Sequence, residues 1–232
     1  MPSEPDALSP ADIAGFIDHT LLKPSASEAD ILRLCSEAVE YGFKSVCVNP
    51  RWVKTTTTAL RGSGVLTCSV AAFPFGATPT DVKVYEARGA TLDGADEVDV
   101  VIDIAAAQAG DRGALVDDLT AVAEAVHGSS SILKVILETG LLTDAQKLLA
   151  CEAAVEAGAD FVKTSTGFNG AGATIEDVAL LRRIVGPGIG VKASGGVRTL
   201  EDARAMIAAG ANRIGASSGV AIVTGGSGAG SY

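Results

Sequence analysis

Histidine is scarce in this chain, and its cysteines are not grouped. His19 and His127 are the only histidines, and neither lies in a ligand-spaced cluster. Cys35, Cys47, Cys68 and Cys151 are scattered and form no CxxC pair. A zinc site of the usual spacing is therefore not expected, and neither is a disulfide framework. The thiols are expected to be free, in a reducing compartment. Basic residues are also short, with 18 Lys and Arg against 28 Asp and Glu, a formal net charge of -10. That balance argues against a nucleic-acid-binding surface but leaves room for a local basic pocket that takes a small anion. No apolar run approaches the roughly 18 residues needed to cross a bilayer. The first residues, Met1 to Asp6, are acidic and proline-rich, without the positive start or apolar stretch of a signal peptide. The expectation is a soluble cytoplasmic protein with no membrane partner.

What is present is a large apolar content and a repeat. Hydrophobic residues make up 47% of 232 residues, enough for one large core. A helix-like pattern ends at glycine and a strand-like run follows within about three residues, again and again. Gly42 leads into Ser45-Val46-Cys47-Val48, and Gly94-Ala95-Asp96 into Glu97 to Ile102. Gly158-Ala159-Asp160 leads into Phe161-Val162-Lys163, and Gly210-Ala211-Asn212 into Arg213 to Ala216. With the runs beginning near 17, 66, 131 and 190, this makes eight strands spaced about 28 residues apart, as a (β/α)8 barrel requires. A doubly wound open sheet is the competing architecture. Cap signals precede the intervening helices: a box from Ser25 to Glu28, then Thr78-Pro79, Thr143-Asp144, Thr174 and Thr199. The reading is an α/β single domain, a TIM barrel over residues 15–222, with an N-terminal arm at 1–14 and a Gly/Ser-rich tail at 223–232.

Within the strands, four ionisable residues stand out: Asp99, Lys134, Lys163 and Lys192, on the fourth to seventh runs. Alternation places Asp99 inward between Val98 and Val100, and does the same for Lys163 and Lys192. One such lysine alone is commonly a strand-end residue that snorkels to water. Four inward charges on adjacent strands must be paired or functional. A buried amine beside a second cation favours its neutral form, which attacks carbonyls to form a Schiff base. Asp99 is then placed to shuttle protons. After the seventh run stands Ser194-Gly195-Gly196-Val197-Arg198, and after the eighth Gly215-Ala216-Ser217-Ser218-Gly219. These suggest a phosphate cradle, which barrels commonly build at that place; ordinary turn chemistry is the alternative.

These residues carry a resemblance. From Ile17-Asp18-His19-Thr20-Leu21-Leu22-Lys23-Pro24 to Gly215-Ala216-Ser217-Ser218 the chain resembles the 2-deoxyribose-5-phosphate aldolase family, class I lyases of barrel fold. Its most specific stretches are Gly94 to Val101, Phe161 to Gly167, and Gly195-Gly196-Val197-Arg198. The resemblance implies that Lys163 is the Schiff-base lysine, Asp99 the aspartate of the proton relay, and Lys192 the second active-site lysine. It implies that Gly167, Gly195, Gly196, Ser217 and Ser218 surround a sugar phosphate, with Arg198 and Gly215 in the same loops. It implies reversible cleavage of 2-deoxy-D-ribose 5-phosphate to D-glyceraldehyde 3-phosphate and acetaldehyde, with neither metal nor cofactor. Asp103 and Phe168 depart from the pattern, the first adding a negative charge at the rim and the second standing where some relatives carry lysine. Lys134 and the C-terminal Tyr232 are auxiliary candidates. The partner expected is a small phosphosugar; a homodimer or higher homo-oligomer is carried as an expectation that no pattern here sets. Another phosphosugar aldolase or isomerase, and an inactive phosphate-binding regulator, are the competing readings.

Overall fold

The computed structural model describes residues 8–226. Eight parallel strands close into a barrel in sequence order. They are β1 (Ile17–Leu21), β2 (Ser45–Val48), β3 (Leu66–Ala71), β4 (Glu97–Val101), β5 (Ile132–Ile136), β6 (Phe161–Lys163), β7 (Gly190–Ser194) and β8 (Arg213–Ala216). Closure is made by β1 pairing with β8, Asp18 opposite Gly215. This excludes the open doubly wound sheet.

Ten helices surround the strands: α1 (Pro10–Ala14), α2 (Glu28–Tyr41), α3 (Val53–Ala59), α4 (Thr80–Leu92), α5 (Ile104–Ala109), α6 (Arg112–His127), α7 (Asp144–Glu156), α8 (Ile175–Val185), α9 (Leu200–Ala208) and α10 (Gly219–Thr224). The expected threonine caps hold at Thr143, Thr174 and Thr199, each accepting from the backbone N–H three residues on. Two starts differ. The capping box of α2 runs from Ser27 to Asp30 rather than from Ser25 to Glu28, because the aspartate at N3 returns a bond to the Ser27 N–H. Pro79, not Thr78, caps α4, and it makes no side-chain cap bond. Within the expected N-terminal arm, α1 carries its own Ser9–Asp12 box and buries Ile13 completely. At the other end α10 runs to Thr224, and Gly225 caps it in the left-handed conformation.

Two apolar regions follow from strand alternation. Outward residues such as Val98, Val100, Val135, Val162 and Val191 pack under the helices in one continuous core. Inward, a much smaller cluster of Leu22, Cys47, Cys68 and Val70 with Phe73 fills only the side of the barrel at β2 and β3. By the same alternation Val101, Ile136 and Phe161 also point inward, but they share the interior with buried charged residues on β1, β4, β5, β6, β7 and β8, which is unusual for a barrel packed mainly by branched apolar layers.

Candidate active site

The interior charges converge on one carboxylate. Lys134 Nζ donates to Asp99 Oδ1 at 2.8 Å. Lys163 Nζ and Lys192 Nζ both donate to Asp99 Oδ2, each at 2.8 Å. The four ionisable residues picked out within the strands are thus brought together, and the register explains how: Asp99 lies opposite Lys134, and Lys163 opposite Lys192.

Three more charged side chains complete the cluster, and strand reading had passed over them. Asp18 on β1 lies 2.5 Å from Lys192 Nζ and 2.6 Å from Arg213. Glu97 on β4 lies 2.6 Å from Lys134 Nζ and 2.8 Å from Arg213. A signal for Glu97 was available, since it precedes Asp99 by two residues and so shares its face. Asp18 and Arg213 belong to the first and last strands, and only closure unites them. Ser45 Oγ completes the shell of Asp18 by donating to its Oδ1 at 2.7 Å.

Four cations, Lys134, Lys163, Lys192 and Arg213, face three carboxylates, Asp18, Glu97 and Asp99. Every one of these side chains is buried. Burial alone would raise the Asp99 carboxyl, but the three lysines outweigh it and hold it well below the ordinary carboxylate range. Asp18 behaves alike, with Lys192 and Arg213 overcoming its burial. Burial opposes the charge of Lys192, yet Asp18 and Asp99 hold its ammonium well above the usual lysine value. Lys134 is raised for the same reason, chiefly by Asp99. The lysines differ in pairing. Among the described residues Lys134 has three carboxylates within 4 Å, Lys192 has two, and Lys163 has Asp99 alone. Lys163 Nζ also lies 5.8 Å from the ring centroid of Phe73.

The chain belongs to the DeoC/LacD family of aldolases. The family model matches residues 13–225. A deoxyribose-phosphate aldolase of Micrococcus luteus is 61% identical over 223 residues, covering 94% of this chain and 97% of that protein. One of Thermococcus gammatolerans is 57% identical over 216 residues, with 92% and 96% covered. The tetrameric deoxyribose phosphate aldolase of Aeropyrum pernix superposes with a TM-score of 0.89 at 38% identity, covering 94% of this chain and 93% of that one. The protein is accordingly an enzyme, a carbon–carbon lyase on a TIM barrel.

In this DeoC/LacD aldolase the glycine loops meet at the barrel mouth. A Cβ on Gly195 would come within 2.9 Å of the Gly172 Cα and 3.4 Å of the Gly167 Cα. The backbone N–H of Ala173 donates to the Ser194 and Gly195 carbonyls, at 3.0 and 2.9 Å. The loops after β6 and β7 therefore pack backbone on backbone, which only glycine permits. Gly167, Gly195 and Gly196 all have positive φ. Gly215 faces inward, and a Cβ there would strike Ser194 Oγ at 2.3 Å and approach Lys192 Cε at 3.1 Å. Ser217 is half-buried, Ser218 is buried at the start of α10, and Arg198 is exposed.

The two departures have local roles. Asp103 is the N-cap of α5, accepting from the Ala106 N–H at 3.0 Å. Phe168 packs edge-on against Phe73, with centroids 5.3 Å apart. Tyr232 lies outside the described residues. Among the described residues two donor groups are close enough to share a cation, Cys47–Cys68–Asp99 and Asp18–Cys68–Glu97. Their carboxylates are already engaged by lysine and arginine in a cluster with a cationic excess, so the donor set is a poor fit for a divalent ion.

Proposed function

We propose that the chain reversibly cleaves 2-deoxy-D-ribose 5-phosphate to D-glyceraldehyde 3-phosphate and acetaldehyde through a Schiff base on Lys163, in deoxynucleoside catabolism. The observation that carries the reading is the shared Asp99 Oδ2, which sets the least-paired lysine beside a second, firmly cationic one. To form a C–N bond the nitrogen must give up a proton, here to Asp99, and turn from its carboxylate to the carbonyl, and among the three lysines Lys163 forfeits the fewest ion pairs. Relatives named deoxyribose-phosphate aldolase supply the sugar.

The proposed steps are those of a Schiff-base aldolase. The Lys163 amine adds to the C1 aldehyde, and the carbinolamine loses water to give an iminium. A base removes the C3 hydroxyl proton and the C2–C3 bond breaks. Its electron pair moves onto the iminium as an enamine, and D-glyceraldehyde 3-phosphate leaves. Protonation at C2 and hydrolysis then release acetaldehyde and restore the amine. Asp99 and Lys192, joined at 2.8 Å, carry these protons. Gly167, Gly195, Gly196, Gly215, Ser217, Ser218 and Arg198 border the phosphate. Lys134 serves below as a fixed countercharge to Asp99 and Glu97.

The Aeropyrum pernix relative is tetrameric, and a homo-oligomer is proposed for this chain as well. No helix among the described residues is long and apolar enough to cross a membrane. The four cysteines are buried free thiols, in keeping with the proposed cytoplasmic setting.

Borohydride reduction in the presence of deoxyribose 5-phosphate tests the reading. A stable mass is expected on the peptide bearing Lys163, together with acetaldehyde and triose phosphate release in the presence of chelator. An adduct on Lys192, or activity lost in chelator and restored by a divalent ion, would overturn it.

A further inference from the structure

Glu138 stands two residues beyond the end of β5 and has φ 57° and ψ 58°. A long non-glycine side chain seldom accepts this left-handed conformation, which points to a constraint from elsewhere. Its carboxylate is almost fully buried, 1% exposed, and among the described residues it has no cation within ion-pair distance. A buried, unpaired carboxylate is costly unless several hydrogen bonds replace its water.

Those bonds all come from the loop after β6. The Thr166 hydroxyl donates to Glu138 Oε2 at 2.5 Å, and the Thr166 N–H approaches Oε1 at 3.2 Å. Asn169 Nδ2 donates to Oε2 at 2.9 Å. The same Nδ2 donates to the Pro74 carbonyl at 3.3 Å, so one amide bridges the loop after β3 as well. Both partners of that nitrogen are acceptors, which settles the orientation of the amide. Between the two anchored residues lie Gly167 and Phe168. The Phe168 N–H donates back to Thr166 Oγ1 at 3.1 Å, and its ring braces Phe73 beside Lys163.

We infer that Glu138 is the positioning residue of the β6–α8 loop: its carboxylate clamps Thr166 and Asn169 so that Gly167 is presented to the phosphate and Phe168 supports Phe73 over the nucleophile. This rests on the phosphosugar reading of the site and adds to it the device that fixes one wall of the phosphate pocket. The clamp works through the loop and not on the reacting atoms, so its loss falls chiefly on phosphate recognition.

Glu138→Ala and Glu138→Gln are compared with the wild type on deoxyribose 5-phosphate and on deoxyribose, and by amide hydrogen exchange. Glu138→Ala is expected to raise KM for the phosphorylated sugar about tenfold while changing kcat/KM for deoxyribose less than about threefold. Exchange in residues 166–172 is expected to quicken, with β5 and β7 unchanged. Glu138→Gln keeps one acceptor for Thr166 and is expected to fall between the two. Equal losses on both sugars, or unchanged loop exchange, would overturn the inference. Where Glu138→Ala does not fold, Asn169→Leu and Thr166→Val remove the clamp from the loop side and should give the same split. A wild type inactive on deoxyribose 5-phosphate would refute the proposed reaction, and the exchange result would still decide the role of Glu138.

Discussion

Lys163 and Lys192 face each other across adjacent parallel strands, and their ammonium nitrogens donate to a single oxygen, Asp99 Oδ2, at the same 2.8 Å. Two cations on one oxygen are stable only with further anions nearby. Asp18 provides one for Lys192, whereas among the described residues Lys163 has no second carboxylate in reach. This inequality separates the two lysines, which their strand positions alone do not.

Lys192→Met is expected to leave the fold intact. It removes one of four buried cations and leaves three against three carboxylates, with Asp18 still held by Arg213 and Asp99 by Lys134 and Lys163. Turnover should fall by at least about a hundredfold, on deoxyribose as well as on its phosphate, because the change lies at the carbonyl end. Steady-state kinetics on both sugars checks this. A loss confined to the phosphorylated sugar would make Lys192 a phosphate ligand instead.

Asp99→Asn should behave differently. Four cations would then face two carboxylates, with three lysines crowded around a neutral amide. A stability loss of about 3–5 kcal/mol is expected, as when one partner of a buried ion network is removed. Activity should be lost along with it. Chemical denaturation and circular dichroism distinguish this from Lys192→Met, for which only activity falls.

Arg198→Ala and Ser218→Ala are expected to raise KM for deoxyribose 5-phosphate by roughly tenfold and to leave deoxyribose cleavage nearly unchanged. Both residues stand beyond the C-terminal ends of β7 and β8. An equal effect on both sugars would place them outside the phosphate pocket.

Stability should fall on mild acidification through His19. Burial lowers this imidazole below its ordinary value of 6.5, against the opposing pull of Glu37 at 2.7 Å. The unfolded chain then binds more protons than the folded one just below that value, so stability declines as pH drops from about 7 toward 5. Lowered carboxylates such as Asp99 and Asp18 act only at lower pH, below their ordinary value of 3.8. Urea unfolding of the wild type and His19→Gln across pH 5–8 tests this; the variant should show a flatter profile in that window. An equal slope in both would assign the effect to other groups.

Much of this enzyme was legible in one dimension. Seven of the eight strands begin at the residue where the alternation of apolar runs and glycine stops puts them, and β5 begins at Ile132, one residue beyond the expected 131. The inward placement of Asp99, Lys163 and Lys192 follows from period-two alternation alone. These features depend on hydrogen bonds and side-chain spacing within a few residues, which any local reading captures. Arg213 bonds Asp18 across 195 positions and Glu97 across 116, and the Asn169–Pro74 bond spans 95. No periodicity encodes such pairs. Strand register and barrel closure put Asp18 beside Lys192 and left Lys163 with one carboxylate, and they turned the unremarkable Glu138 at a strand end into a buried clamp. The residues able to do the chemistry were determined by the sequence itself. Which lysine is least paired, and what holds the loop above it, was decided by contacts between strands that only the closed barrel brings together.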